Sequence, residues 1–207
     1  MFFFLCYWFL FSGILESTFD VVLLFDGSST LGRDRFLQTL QLAKDILSPF
    51  DISVNHTNVA GAVYAHNTTI SFNLREHFSD ASVAAAIDAV PFLDQFPVNL
   101  SAALQIVNES IISTSRENVS VVLVVFVFNT LSADCTLCQA LREQGVKIIA
   151  VGLGDQYDYG QLVSIASNPA EDFVTTISFL HISTGEGIVS GAIAQGQFYI
   201  LKFSFLK

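Results

Sequence analysis

Hydrophobic and polar positions along the chain divide it into two kinds of segment. Continuous apolar runs at Phe19 to Asp26 and Val119 to Phe128 are typical of strands covered on both faces of a sheet. Apolar residues at helical spacing in Asp34 to Leu47 and Leu100 to Ile112 predict amphipathic helices. The regular alternation of strands and helices predicts an α/β fold with a doubly wound, mostly parallel sheet flanked by helices.

The remaining segments complete this pattern. Two short β-type runs separated by a turn composition predict a hairpin, which places one antiparallel strand at the sheet edge. The further predicted elements are strands at 58–64, 69–72, 146–151 and 173–176, and helices at about 80–90, 133–144 and 159–167. In such a sheet the functional residues lie in loops beyond the carboxyl ends of the strands.

The two ends of the chain differ from its middle. Residues 1–18 contain an uncharged apolar run followed by small residues, which resembles an export signal, although no basic residue precedes the run. About ten apolar residues are too few to span a bilayer, so the alternatives are a misplaced start or a short buried segment. Residues 184–207 form an atypical tail that is a poor membrane span. We therefore expect one domain at 19–183.

Other features bear on the compartment. The chain contains N-x-[ST] sequons at Asn55, Asn67, Asn99, Asn108 and Asn118. Their number, together with the leader, favours a secreted glycoprotein. Cys135 and Cys138 form one C-x-x-C with no second pair to complete a zinc site, so a local disulfide and inert thiols both remain open.

Charge and motif content argue against two broad classes of function. The net charge of −10 offers no basic surface to nucleic acid. The segment Val151 to Asp155 has G-x-G without the third glycine of a dinucleotide fingerprint. Ser28 and Ser29 lack a nucleophile elbow, and the four histidines are scattered. We expect no enzymatic activity.

Three segments together carry a family resemblance. Asp26-Gly27-Ser28-Ser29-Thr30 follows the first strand, REQGVKIIAVGLGD spans Arg142 to Asp155, and IASNPAEDFVTTISF spans Ile165 to Phe179. These segments resemble the von Willebrand factor A family over roughly 19–183. The resemblance implies an adhesion site in which a D-x-S-x-S loop, a threonine and a second aspartate hold a metal ion, known as a metal-ion-dependent adhesion site (MIDAS).

The site that the resemblance implies is degenerate in this chain. Asp26, Ser28 and Thr30 match the loop, but the threonine position falls near Val98, which has no ligand atom. The second aspartate position falls at Asn129, which leaves one carboxylate in place of two. Charge count tunes affinity for hard cations, so we predict weak or absent binding of Mg²⁺ or Mn²⁺.

The sequence therefore predicts an extracellular protein-binding module with an unidentified matrix or receptor ligand and no membrane span. One alternative is a structural spacer or self-association domain of a larger matrix protein, similar to those of collagens and matrilins. A second is an intracellular scaffold domain, against which the leader and the sequons argue. At the rim of the site, Asn99 either carries a glycan or caps the helix that starts near Leu100.

Overall fold

The computed structural model describes residues 18–129 and 135–179. These residues form a six-stranded sheet flanked by helices. The strands are β1 Phe19–Asp26, β2 Asn58–Tyr64, β3 Thr68–Phe72, β4 Ser120–Val127, β5 Lys147–Leu153 and β6 Val174–Ile177. The helices are α1 Arg33–Leu47, α2 Asp80–Asp88, α3 Leu100–Ser110, α4 Thr136–Glu143, α5 Tyr159–Ile165 and α6 Ala170–Phe173, with a 3-10 turn at Ile112–Thr114.

The order of strands across the sheet is β3-β2-β1-β4-β5-β6. Strand β1 runs parallel to both β2 and β4, and β5 runs parallel to β4 and β6. Strand β3 is antiparallel to β2 and lies at one edge. This arrangement confirms the predicted doubly wound sheet with one antiparallel edge strand.

The switch in strand order falls between β1 and β4. The chain proceeds outward from β1 through β2 and β3, then returns to the other side of β1 to form β4. A crevice forms where the connections from two neighbouring parallel strands diverge, and ligands of open α/β sheets bind there. Asp26 ends β1 and Asn129 follows β4 by two residues, so the predicted site residues lie at this switch point.

The centre of the core lies directly beneath the switch point. All eight residues of β1 are buried, as are all residues of β4 except Ser120. Phe25 and Phe126 are fully buried, and their rings stack at a centroid distance of 5.2 Å. Both strands that carry the site are therefore fixed by apolar contacts on either face.

A buried ion pair between Asp20 and Arg116 lies at the opposite end of the sheet. The Asp20 carboxylate is fully buried and accepts bonds from the backbone N–H and the guanidinium of Arg116, at 2.8 Å and 2.7 to 2.8 Å. The same guanidinium donates to the carbonyl oxygens of Phe19 and His56. Arg116 therefore joins the start of β1 to the segments that precede β2 and β4.

Several predicted boundaries shift by a few residues. Helix α2 ends at Asp88, where the next N–H group, that of Val90, bonds three residues back to Ile87 and not four. The short helix α6 occupies the residues just before β6, so β6 begins at Val174. The predicted start of the helix near Ala133 lies outside the described residues, and the helix is observed from Thr136.

A disulfide joins Cys135 to Cys138, which resolves the alternative that the sequence left open. The leader and the tail lie outside the described residues. In the part of the chain that the structure describes, no helix has the length and apolarity that a bilayer crossing requires.

Candidate functional site

The carboxylate of Asp26 links two loops at the switch point. The side chain is fully buried. Its Oδ1 accepts the backbone N–H of Ser28 at 2.9 Å, and its Oδ2 accepts the backbone N–H of Phe128 at 3.2 Å. Asp26 thus holds the loop that follows β1 against the end of β4.

Three further polar side chains meet above Asp26. The hydroxyl oxygens of Ser28 and Thr30 lie 3.0 Å apart. The side-chain Nδ2 of Asn129 donates to Ser28 Oγ at 3.0 Å and to Thr30 Oγ1 at 2.7 Å. The structure therefore brings together the four side chains that the sequence indicated, but their role as metal ligands stays a prediction.

The loop before α3 forms the third side of the site. The N–H of Ser29 donates to the Gln95 carbonyl at 3.1 Å, and the N–H of Asp94 donates to the Gly27 carbonyl at 3.1 Å. Val98 is half-buried and packs against the hydrophobic core. At this position the chain supplies an apolar contact in place of a ligand oxygen.

The electrostatics of the site reflect its burial. Loss of water raises the pKa of the Asp26 carboxyl above 3.8, while hydrogen bonds from Ser28 and from the backbone of Phe128 and Asn129 oppose that rise. Burial, and to a lesser degree the charge of Asp26, raises the pKa of the Tyr64 hydroxyl well above 10.0. A single negative charge is therefore held in a poorly solvated position.

These residues do not fit a tightly bound divalent cation. Of the four side chains only Asp26 is a carboxylate, and both hydroxyls already accept from the Asn129 amide. An N–H group is a hydrogen-bond donor and cannot coordinate a cation. Among the described residues, no three His, Cys, Asp or Glu side chains form a metal-binding group.

Sequence reasoning missed two residues of the site. Tyr64 ends β2 in register with Asp26, and its hydroxyl donates to the Phe126 carbonyl at 3.0 Å. The available signal was a tyrosine, which carries a polar hydroxyl, at the end of an apolar run that predicts a buried strand. The side chain of Gln95 accepts the N–H of Asn67 at 3.1 Å, a contact for which the sequence gives no comparable signal.

The sequons divide between the two ends of the sheet. Asn67 and Asn99 are exposed beside the site, where the N–H of Ala65 donates to the Asn67 carbonyl and the N–H of Asn99 donates to the Ala65 carbonyl. Asn55 and Asn118 are exposed near Arg116 at the other end, and Asn108 lies on α3.

Asn99 caps α3 through its Oδ1, which accepts the N–H of Ala102 at 3.0 Å. An N-linked glycan attaches through Nδ2, so capping and glycosylation of Asn99 are compatible. The two roles that the sequence presented as alternatives do not exclude each other.

The fold and the loop geometry are those of a recognisable family of domains, and comparison with known proteins identifies it. The family model of the von Willebrand factor type A domain matches residues 20–181. The chain belongs to this family.

Curated relatives include large proteins that contain such a domain. The chain is 25% identical to vitrin of Mus musculus over 154 residues, covering 74% of this chain and 23% of vitrin. It is 27% identical to matrilin-4 of Homo sapiens over 194 residues, covering 85% and 31%. It is 23% identical to the collagen alpha-1(XX) chain of Homo sapiens over 180 residues, covering 85% and 14%. The chain thus spans less than a third of the length of these relatives.

Solved structures agree on the fold. The chain is similar to proximal thread matrix protein 1 from the mussel byssus, with a TM-score of 0.75 and 21% identity. The match covers 92% of this chain and 46% of the other. The MIDAS motif of that protein is described as occupied by zinc. At this identity the likeness establishes the fold alone.

The raised pKa of Asp26 predicts a pH-dependent stability. Because folding favours the protonated carboxyl, the contribution of Asp26 is fully present below about pH 3.8 and is lost as the pH rises through the raised pKa. The free energy of unfolding of the wild type, minus that of Asp26→Asn, should therefore fall with rising pH and then level off. Each whole pKa unit of increase corresponds to about 1.4 kcal/mol.

Urea unfolding of both proteins across this pH range measures the difference, and subtracting the variant cancels the titration of other groups. A difference that grows with pH would show that the carboxylate is net stabilised in the folded protein, contrary to the effect of its burial.

Proposed function

We propose that this chain is a secreted protein-interaction module of the extracellular matrix that binds its ligand with little or no dependence on a divalent metal. The family assignment and the relatives among collagen chains and matrilin support a matrix role. The weak metal dependence rests on one observation: beside the single carboxylate of Asp26, the amide of Asn129 donates to the two hydroxyls that a cation would need.

The ligand-binding surface in this proposal includes the carboxyl-end loops. Phe96 lies one residue from Gln95, whose carbonyl accepts the N–H of Ser29, and its side chain is 63% exposed. An exposed aromatic ring beside a well-packed loop is the kind of side chain that dominates binding energy in protein interfaces. The neighbouring Val98 extends this apolar rim.

The proposal includes export and glycosylation. The leader at 1–18 and the sequons support secretion, and the domain would extend over 19–183, with 184–207 as an appended tail. Glycans at Asn67 and Asn99 would flank the carboxyl-end loops and restrict the direction from which a ligand approaches. The intracellular scaffold has no such support.

Binding to immobilised fibrillar collagen, and to an immobilised second copy of the chain, tests the proposal. We expect collagen binding with a dissociation constant that changes by less than about threefold between Mg²⁺ and EDTA, which is under about 0.7 kcal/mol. Binding only to the second copy would favour the self-association role. Complete loss of collagen binding in EDTA would contradict metal independence.

A matched pair of variants locates the surface. Phe96→Ala should weaken collagen binding by about tenfold or more, the effect expected of an interface aromatic. Val54→Ala removes a side chain that is 56% exposed beside Arg116 at the other end of the sheet, and it should leave binding unchanged. Equal effects of the two substitutions would place the ligand elsewhere.

A further inference from the structure

The polar group above Asp26 has a closed pattern of hydrogen bonds. The side-chain amide of Asn129 has two N–H bonds, and its two acceptors are Ser28 Oγ at 3.0 Å and Thr30 Oγ1 at 2.7 Å. The two hydroxyls are themselves in hydrogen-bond contact at 3.0 Å. The amide nitrogen and the two hydroxyl oxygens therefore lie within hydrogen-bond distance of one another.

This pattern uses the atoms that a metal ion would need. A hydroxyl oxygen has two lone pairs and one hydrogen. When Thr30 donates to Ser28, the Ser28 oxygen accepts from both Thr30 and Asn129, and neither of its lone pairs remains for a cation. Because Mg²⁺ requires about six oxygens at close to 2.1 Å, a cation could bind both hydroxyls only by displacing the amide.

The amide also links the segments that a shared cation would link. Ser28 and Thr30 belong to the loop after β1, and Asn129 follows β4. Asp26 makes the same connection one layer below, through the N–H groups of Ser28 and Phe128. The loop after β1 is thus held to the end of β4 at two levels.

We propose that Asn129 is a positioning residue whose side-chain amide replaces a bound cation, holding the Ser28 and Thr30 hydroxyls to the end of β4. This inference rests on the proposed function, because it explains how the loops of a metal-independent binding module keep their shape. In this proposal the neutral amide of Asn129 connects the loop after β1 to the end of β4 by donating hydrogen bonds. A carboxylate at the same position could make that connection only through a bound metal.

The first test uses the unmodified protein. In the ¹⁵N-labelled full chain, the side-chain amide protons of Asn129 should exchange slowly with solvent, because the amide nitrogen donates to both hydroxyls. Added Mn²⁺ should cause no paramagnetic broadening at the backbone amides of Ser28 and Thr30. Selective broadening of those two signals at low Mn²⁺ concentration would overturn the proposal.

The second test replaces the side-chain amide of Asn129 with a carboxylate. Asn129→Asp removes both N–H donors and places a second negative charge near Asp26. We expect its melting temperature in EDTA to fall by about 3 °C or more, the shift that about 1 kcal/mol produces in a domain of this size. Mg²⁺ should restore most of that loss, whereas the melting temperature of the wild type should not respond to Mg²⁺.

Asn118→Asp is the matched control. Asn118 is exposed at the opposite end of the sheet with a φ of 61°, a conformation that aspartate also tolerates. In protein without glycans, this substitution should leave the melting temperature insensitive to Mg²⁺ and EDTA.

Two results for Asn129→Asp would overturn the proposal. One is unchanged stability in EDTA, which would show that the amide holds nothing in place. The other is a loss that Mg²⁺ does not restore, which would show that the amide occupies a position no cation can take. Neither measurement involves a protein ligand, so failure here is distinguishable from failure of the matrix-binding proposal.

Discussion

Replacing Arg116 with methionine should lower the free energy of unfolding by about 3 to 5 kcal/mol, the range for breaking a buried ion pair. The Asp20 carboxylate is fully buried, and Arg116 is its only charged partner among the described residues. Methionine retains much of the apolar stem but leaves Asp20 without a counter-charge and removes the donors to the Phe19 and His56 carbonyls. Urea unfolding followed by circular dichroism measures the loss.

Lys44→Met is the matched control for this prediction. Lys44 pairs with Asp88 at 2.6 Å, and the side chains are 22% and 60% exposed, so the pair is in contact with solvent, unlike Asp20. Exposed pairs of this kind contribute about 0 to 1 kcal/mol, so the variant should unfold close to the wild type.

The buried charge can be tested separately. If the loss in Arg116→Met arises from an unpaired Asp20, then adding Asp20→Asn should recover part of the stability. A double variant less stable than Arg116→Met would instead assign the effect to the hydrogen bonds of the guanidinium.

The fold could be predicted from the sequence because its strongest signals are local. The apolar run at Val119 to Phe128 identifies β4 as a central strand, since it is nearly continuous in Val, Leu and Phe. The two short β-type runs at 58–64 and 69–72 place the hairpin at an edge. Helix ends are harder to predict: Ala89 and Val90 are apolar like the helix before them, and Pro91, the first stop signal, comes after the observed end at Asp88.

Much of the site could also be predicted, because its residues sit at the ends of recognisable strands. The D-x-S-x-S pattern located Asp26, Ser28 and Thr30, and the end of β4 located Asn129. The orientation of the Asn129 amide could not be predicted, since oxygen and nitrogen are equally available in the sequence. Only the three-dimensional arrangement shows the nitrogen directed at two hydroxyls.

Contacts between residues that are far apart in the chain could not be predicted from the sequence. Asp20 and Arg116 are 96 positions apart, and neither belongs to a charge pattern that would single it out. Tyr64 reaches the Phe126 carbonyl across 62 positions. Such pairs depend on the strand order, which a single sequence does not specify.

The stacked rings of Phe25 and Phe126 beneath the site predict the second large effect, which is on the free energy of unfolding. Phe126→Ala should cost about 3 to 5 kcal/mol, because Phe126 is fully buried and its removal leaves a cavity against Phe25 in a close-packed layer. Phe96→Ala removes a ring that is 63% exposed and should change stability by less than about 0.5 kcal/mol. Denaturant midpoints of the two variants provide the comparison.

The same substitution tests whether the site depends on its core. Asp26 follows Phe25 directly, and Asn129 follows Phe126 by three residues, so a shift of either strand changes the distance between the two side chains. In a folded Phe126→Ala variant, we expect the Asn129 side-chain amide protons to exchange faster than in the wild type. Unchanged exchange would mean that the hydrogen bonds at the loops alone fix the site, and that the stacked rings serve stability only.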